Sequence, residues 1–226
     1  MRSATILIVL GLLVTACSDG TDVGDDRADQ ARTAALDAGL DADVADFLAL
    51  AARGQTATYQ ATYPGPDAGT SVVVANRPPD RRVDVVADDL IVQVQISLDG
   101  VGYTCPRDEE AGEIVSCERT DAIVEPPGAF GTAAMDSLSA SLADRIDDFD
   151  FTLETSAIAG VEARCLVTNV KSGRERAELA DSGTICVSPE GALLRVAQGD
   201  EVIEATDYTT EIPDNTFVRP DTGGDN

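Results

Sequence analysis

The sequence predicts an α+β fold in which a strongly curved antiparallel sheet forms a partly open barrel that a helix closes over. Three observations predict it. Past residue 56 most of the chain alternates apolar with polar residues in short runs cut by Pro, Gly and Asp turns, the period of half-buried strands. Only two stretches carry the three-to-four spacing of an amphipathic helix. A strand meander on each side of the second stretch leaves an apolar sheet face larger than one short helix can cover, so the sheet must curl.

The elements follow in order. Val44, Phe47, Leu48 and Leu50 lie on one helical stripe that opens in acidic residues at Asp41 and stops at Arg53-Gly54. Ala57, Tyr59, Ala61 and Tyr63 then alternate with Thr56, Thr58, Gln60 and Thr62, which begins the strands. Pro64-Gly65-Pro66-Asp67 turns the chain into a strand over 70–77, and Pro78-Pro79-Asp80 turns it into one over 82–86. The clearest alternation is Leu90, Val92, Val94, Ile96 and Leu98 against Gln93, Gln95 and Ser97, one dry face and one wet. Asp99-Gly100 turns into a strand over 101–105, and a further strand is expected over about 113–119. Pro126-Pro127-Gly128 breaks the sheet before Phe130, Met135, Leu138, Leu142, Ile146 and Phe149, whose spacing predicts the second helix. Strands resume over 151–155, 160–170, 184–188, 192–197 and 201–210.

The N-terminus carries Arg2 and the apolar run Ile6-Leu7-Ile8-Val9-Leu10-Gly11-Leu12-Leu13-Val14, too short to stay in a bilayer as a spanning helix. Residues 1–16 read as a signal peptide. Val14-Thr15-Ala16-Cys17 resembles the lipobox of bacterial lipoproteins, with a branched residue, two small residues and the cysteine whose thiol takes diacylglycerol. An ordinary secretory signal with an accidental cysteine is the other reading. Under the first, two or three acyl chains on Cys17 anchor the chain stably on the outer face of the cell membrane. Residues 17–42, from the lipidated cysteine through a stretch rich in Asp, Ala, Gly and Thr, read as a flexible tether, part of it transiently helical around 27–38. About 25 flexible residues give an r.m.s. reach of about 25 to 30 Å. Residues 43–220 then form one domain and 221–226 a disordered tail.

Charge narrows the partners. The chain has 16 basic and 41 acidic residues, and loss of Arg2 brings the mature charge to about −26. Such a field repels nucleic acid and anionic head groups alike, so the acyl anchor must supply the membrane attachment. The four cysteines beyond Cys17 are an even number in an exported chain and argue for two disulfides. Sequence neighbours suggest Cys105 with Cys117 and Cys165 with Cys186, and other pairings stay open. Without histidine or a C-x-x-C spacing a metal site is not expected, and no cofactor is either. The acidic stretch Asp19 to Asp29 lacks the spacing of a calcium loop and reads as solvated tether. Catalysis is not expected: no histidine base is present, no serine sits in G-x-S-x-G or S-x-x-K, and aromatic platforms for a glycan are scarce.

The segments from Ile158 to Val167, from Cys186 through Ser188-Pro189-Glu190-Gly191-Ala192 to Val196, Glu204-Ala205-Thr206-Asp207-Tyr208 and Ile212-Pro213-Asp214 resemble actinobacterial lipoproteins of the LolA/LolB-like superfamily, over about 44–220. The mycobacterial LppX/LprG-type lipoproteins are the functional comparison. The resemblance implies an unclosed half-barrel with a helical lid around a hydrophobic cavity that carries acyl chains of lipids or lipoproteins. Val92, Val94 and Ile96 on the sheet, with Phe130, Met135, Leu138, Leu142 and Ile146 on the lid, are then the candidate cavity residues. The same residues would serve equally as plain core. A sensor or scaffold of the same fold that binds a protein partner, as RseB-type regulators do, is the alternative.

Overall fold

Two α-helices and twelve strands form among residues 22–108, 112–114, 116–120, 146–173 and 182–221, which are the residues the computed structural model describes. Helices α1 (Asp22–Asp37) and α2 (Ala42–Arg53) precede β1 (Tyr59–Pro64), β2 (Thr70–Arg77), β3 (Asp80–Ala87), β4 (Leu90–Leu98), β5 (Val101–Pro106) and β6 (Glu118–Thr120). After a 3-10 turn at Ile146–Asp148 come β7 (Phe149–Ile158), β8 (Val161–Val170), β9 (Ser182–Val187), β10 (Leu193–Gln198), β11 (Glu201–Glu204) and β12 (Asp207–Thr209). A second 3-10 turn, Asp214–Phe217, follows.

Two antiparallel sheets result, in the orders β12-β1-β2-β3-β4-β5-β6 and β11-β10-β9-β8-β7. Each is a meander of short hairpins. Asp88-Asp89, Asp99-Gly100 and Ala159-Gly160 all take positive φ at both turn positions, the geometry whose twist matches that of paired strands. The sheets become one curved, unclosed half-barrel at a corner. The Ala205 amide donates to the Leu194 carbonyl of β10, while the next amide, Thr206, donates to the Thr62 carbonyl of β1. The run 201–210 is therefore two strands, not the single one its alternation suggests, because consecutive residues satisfy their backbone on different sheets.

The core is divided by the strand period. Ala61, Val74 and Val83 of the first sheet meet Ala163, Cys165 and Cys186 of the second in one shared cluster with Tyr59, Tyr63 and Tyr208. Leu166 and Val187, each adjacent along its strand to one of those cysteines, point to the opposite face and pack with Phe47, Leu48 and Ala51 of α2. Helix α2 thus covers the outer face of the second sheet. Its C-terminus closes against the β9–β10 turn, where Gly191 has φ +90° and an added Cβ would stand 1.9 Å from the Leu50 carbonyl oxygen. Only glycine fits there.

Three expectations change. Residues 22–37, read as flexible lead, form α1, which buries Ala28, Ala35 and the following Leu40 and pairs Arg32 with Asp46 at 2.6 Å. Phe149 opens β7 instead of ending a helix, because its pairing with Val170 satisfies its backbone in the sheet. Asp221, placed at the start of the tail, is engaged: its carboxylate accepts from the Cys117 amide at 3.1 Å and from Arg219 at 2.6 Å. The lid residues Phe130, Met135, Leu138 and Leu142 lie outside the described residues, as do Cys17 and the signal peptide.

The cysteines bond as Cys105–Cys117 and Cys165–Cys186, closing loops with separations of 12 and 21 residues. The second bridge lies in the shared core, with both cysteines buried. Replacing that pair by alanine is expected to cost about 3–5 kcal/mol, against about 2–3 kcal/mol for the first, by loop closure plus lost packing. Chemical denaturation of the two double variants checks the order, and equal midpoints would contradict it.

Candidate functional site

The sequence-predicted cavity residues occupy a different surface from the shared core. Val94 and Ile96 are completely buried, but on the other face of the first sheet, where they cluster with Cys105 beneath Ile114 and Cys117. The register fixes this: Val94 pairs with Asp84 and Cys105, while Val83 of the shared core pairs with Gln95. Val92 is half-buried. Ile146 opens the 3-10 turn before β7, and the other lid candidates are outside the described residues.

The C-terminal segment crosses that outer face. Arg82 donates to the Thr216 carbonyl at 2.9 Å, Arg77 lies 4.4 Å over the Phe217 ring, and Arg219 lies 4.9 Å over Tyr103. Beneath it Arg82 and Asp84 form a 2.7 Å ion pair with each side chain only 14% exposed. Burial pushes the Asp84 carboxyl above its usual range, although the bond from Arg82 and its charge pull the other way.

The inner face, which carries the shared core, changes character across the first sheet. Across the strands, one register row reads Ala61, Val74, Val83, Gln95, Thr104, Glu118, from apolar to polar to acidic. On the second sheet Asp150, Thr152 and Glu154 of β7 are exposed on the corresponding face. The inner surface is therefore apolar only near the corner. There it is filled by Tyr59 and Tyr208, stacked with ring centroids 6.2 Å apart, and by Tyr63, whose hydroxyl donates to the Leu193 carbonyl at 2.6 Å.

One half-covered apolar strip lies on the α2 side of the second sheet. Phe151, Leu153, Ile185 and Val196 are only partly buried against the α2 cluster. Phe151 and Leu153 belong to β7, an edge strand whose alternation is visible in the sequence; what the sequence does not supply is which face α2 takes.

A polar knot locks the corner. Ser188, fully buried, accepts at Oγ from the amides of Glu190 and Ala192 at 3.2 and 3.1 Å, and its Oγ lies 3.0 Å from the Tyr208 hydroxyl oxygen. Tyr208 donates to Glu190 Oε2 at 2.6 Å, and Ser188 Oγ lies 3.0 Å from the same oxygen. Burial and the Glu190 carboxylate hold the Tyr208 phenol far above its ordinary range. Burial pushes Glu190 up, but the bonds from Tyr208, its own amide and Ser188 outweigh it and hold the carboxyl below its usual range. These residues fall in the segments that carry the family resemblance, but spacing alone gives no reason to join Ser188 to Tyr208.

The chain is similar in structure to lipoprotein LppX of Mycobacterium tuberculosis, with 11% sequence identity, coverage of 74% of this chain and 97% of that chain, and a TM-score of 0.32. No family model matches the sequence, and a search of curated proteins finds no match.

The knot predicts a pH response. A depressed Glu190 contributes stability that is present above the ordinary carboxylate pKa, about 4.3, and is lost as pH falls through its lower folded value. Asp84, with a raised value, acts in the opposite sense. Tyr208→Phe is expected to lose about 1–2 kcal/mol at neutral pH and to flatten the acid limb of the stability curve. Denaturant titrations from neutral pH into acid check this; an acid limb as steep as wild type would sink the assignment.

Proposed function

We propose that the mature chain is a lipid-anchored lipoprotein on the outer face of the cell membrane that binds a lipid or another amphiphile and carries it in the envelope. The observation that carries the reading is the half-covered apolar strip Phe151, Leu153, Ile185 and Val196 beside β7, an edge strand among the described residues. Apolar side chains left part-exposed on a rigid sheet are what acyl chains can bury against without reorganising the protein. Topology supports it. Residues 121–145 join β6 to the turn before β7, which are the edge strands of the two sheets among the described residues, and in sequence they hold Phe130, Met135, Leu138 and Leu142. The residues that the family resemblance assigns to a lid fall in that connection, outside the described residues. The reading transfers the acyl contact from Val94 and Ile96, which are sealed in the outer cluster, to Phe151 and Leu153.

The anchor rests on Cys17 and its lipobox, and the two disulfides fit a chain that matures in an oxidising compartment. The reading assigns no catalysis and no cofactor. One observation favours a second reading, a non-carrier that contacts a protein partner: the shared core between the sheets is filled by the protein's own tyrosines.

Native mass spectrometry of protein extracted from its own membranes in mild detergent separates the two. Carriage predicts lipid-sized adducts on the wild type and several-fold lower occupancy in Phe151→Asp, with the melting temperature of the variant reported alongside. A wild type that is consistently empty would rule out carriage and leave the partner reading standing.

A further inference from the structure

We infer that the junction between α2 and β1, from Arg53 to Thr56, is the pole of the domain that faces the membrane, so that the anchor sets the domain's orientation as well as its location. The inference rests on Cys17 being the lipidated residue. It starts from α1. Its first turns lie against that junction: Asp25 pairs with Arg53 at 3.5 Å, Arg27 hydrogen-bonds Gln55, and a Cβ on Gly24 would stand 2.3 Å from Thr56 Oγ1. Between Cys17 and the start of α1 at Asp22 the chain has a contour of at most about 18 Å. If flexible, that lead has an r.m.s. span of about 12 Å, less than half the reach of a tether extending to α2.

The sheet is longer than the lead. The junction is bonded to the adjoining end of the first sheet, where the Asn76 amide donates to the Gln55 and Ala57 carbonyls at 3.2 and 2.7 Å. From that end β3 runs from Asp80 to Ala87, about 26 Å at strand rise, to the Asp88-Asp89 turn. Charge does not choose between the ends: Asp80 and Asp99 stand at the junction end, where the Asp99 amide donates to Asp80 Oδ1 at 3.0 Å, and Arg107 stands beside Ile91 near the Asp88-Asp89 turn. The partner this pole fits is the head-group layer of the leaflet that holds the anchor.

The test uses the full mature lipoprotein in phosphatidylcholine vesicles containing a little phosphatidylglycerol and a head-group spin-labelled lipid. A fluorescent non-canonical amino acid is placed at Gln55 or, at the far end, at Asp88, with Arg53 as a second near position should the Gln55 variant not fold. Several-fold stronger quenching near the junction than at Asp88 is expected, and a long Gly/Ser insert after Ser18 should erase the difference. Equal quenching at the two ends, or a difference that survives the insert, would overturn the inference while leaving the anchor intact. Intact mass distinguishes the other failure: a mature chain without diacylglyceryl on Cys17, not retained by vesicles, would sink the anchor and this inference together.

Discussion

At the corner of the half-barrel two adjacent amides, Ala205 and Thr206, donate to carbonyls on different sheets, Leu194 of one and Thr62 of the other. Each sheet is otherwise a self-contained meander, and among the described residues no backbone hydrogen bond of β2 to β6 or β7 to β9 joins them. The rest of the interior depends on that junction. It brings Ala61 and Val74 onto Ala163 and the Cys165–Cys186 bridge, small groups that let the sheets approach closely. It also sets Tyr208 where its hydroxyl reaches Ser188 and Glu190, so the β9–β10 turn is tied to β12 and, through Gly191, to the end of α2. A buried serine surrounded by two amides, a phenol and a carboxylate has no unsatisfied partner, which makes the network rigid.

What the sequence displays and what it conceals divide along physical lines. Period-two alternation marks β1, β2, β4 and β5 within a residue or two, and the stripe Val44, Phe47, Leu48 marks α2, because half-burial writes itself into local order. Alternation says that one face of β4 is dry; it does not say what dries it. Val94 and Ile96 are dry beneath Ile114 and the Cys105–Cys117 bridge, and the C-terminal segment that crosses the same face is more than a hundred residues away along the chain. Helix α1 is nearly illegible for a different reason. It buries Ala28 and Ala35, whose small apolar surface leaves almost no periodic signal, and its contacts with α2 are made by arginines that read as solvated. Register, and with it the division of each strand into inner and outer face, is likewise a property of pairs and not of single segments.

The same division bears on the proposed carriage. A cavity enclosed between the two sheets would need both inner faces apolar, yet the register row that starts at Ala61 ends in Gln95, Thr104 and Glu118. Desolvating those amide, hydroxyl and carboxylate groups against acyl chains without hydrogen bonds would cost several kcal/mol. The α2 side of the second sheet carries no such penalty at Phe151, Leu153, Ile185 and Val196. If the proposed carriage holds, solvation favours an amphiphile's tails on the α2 side and leaves the wet half of the inner face to groups that keep their water.

Location and orientation meet at α1. A sixteen-residue helix is marginal on its own in water, so α1 persists because Ala28, Ala35 and Leu40 are buried and the pairs to Asp46, Arg53 and Gln55 hold its sides. Those pairs are exposed, and each contributes little. The short lead is thus as secure as a modest apolar seam, and its length is a thermodynamic variable. Under the proposed anchor at Cys17, and with the lead taken as flexible, docked α1 leaves an r.m.s. span of about 12 Å, and release of α1 would extend it to about 25 to 30 Å. Only the longer span is comparable with the roughly 26 Å length of β3, which separates the two ends of the first sheet. Under the proposed anchor, the surface the domain turns to the leaflet is set by the seam between α1 and α2 as well as by the lipid on Cys17.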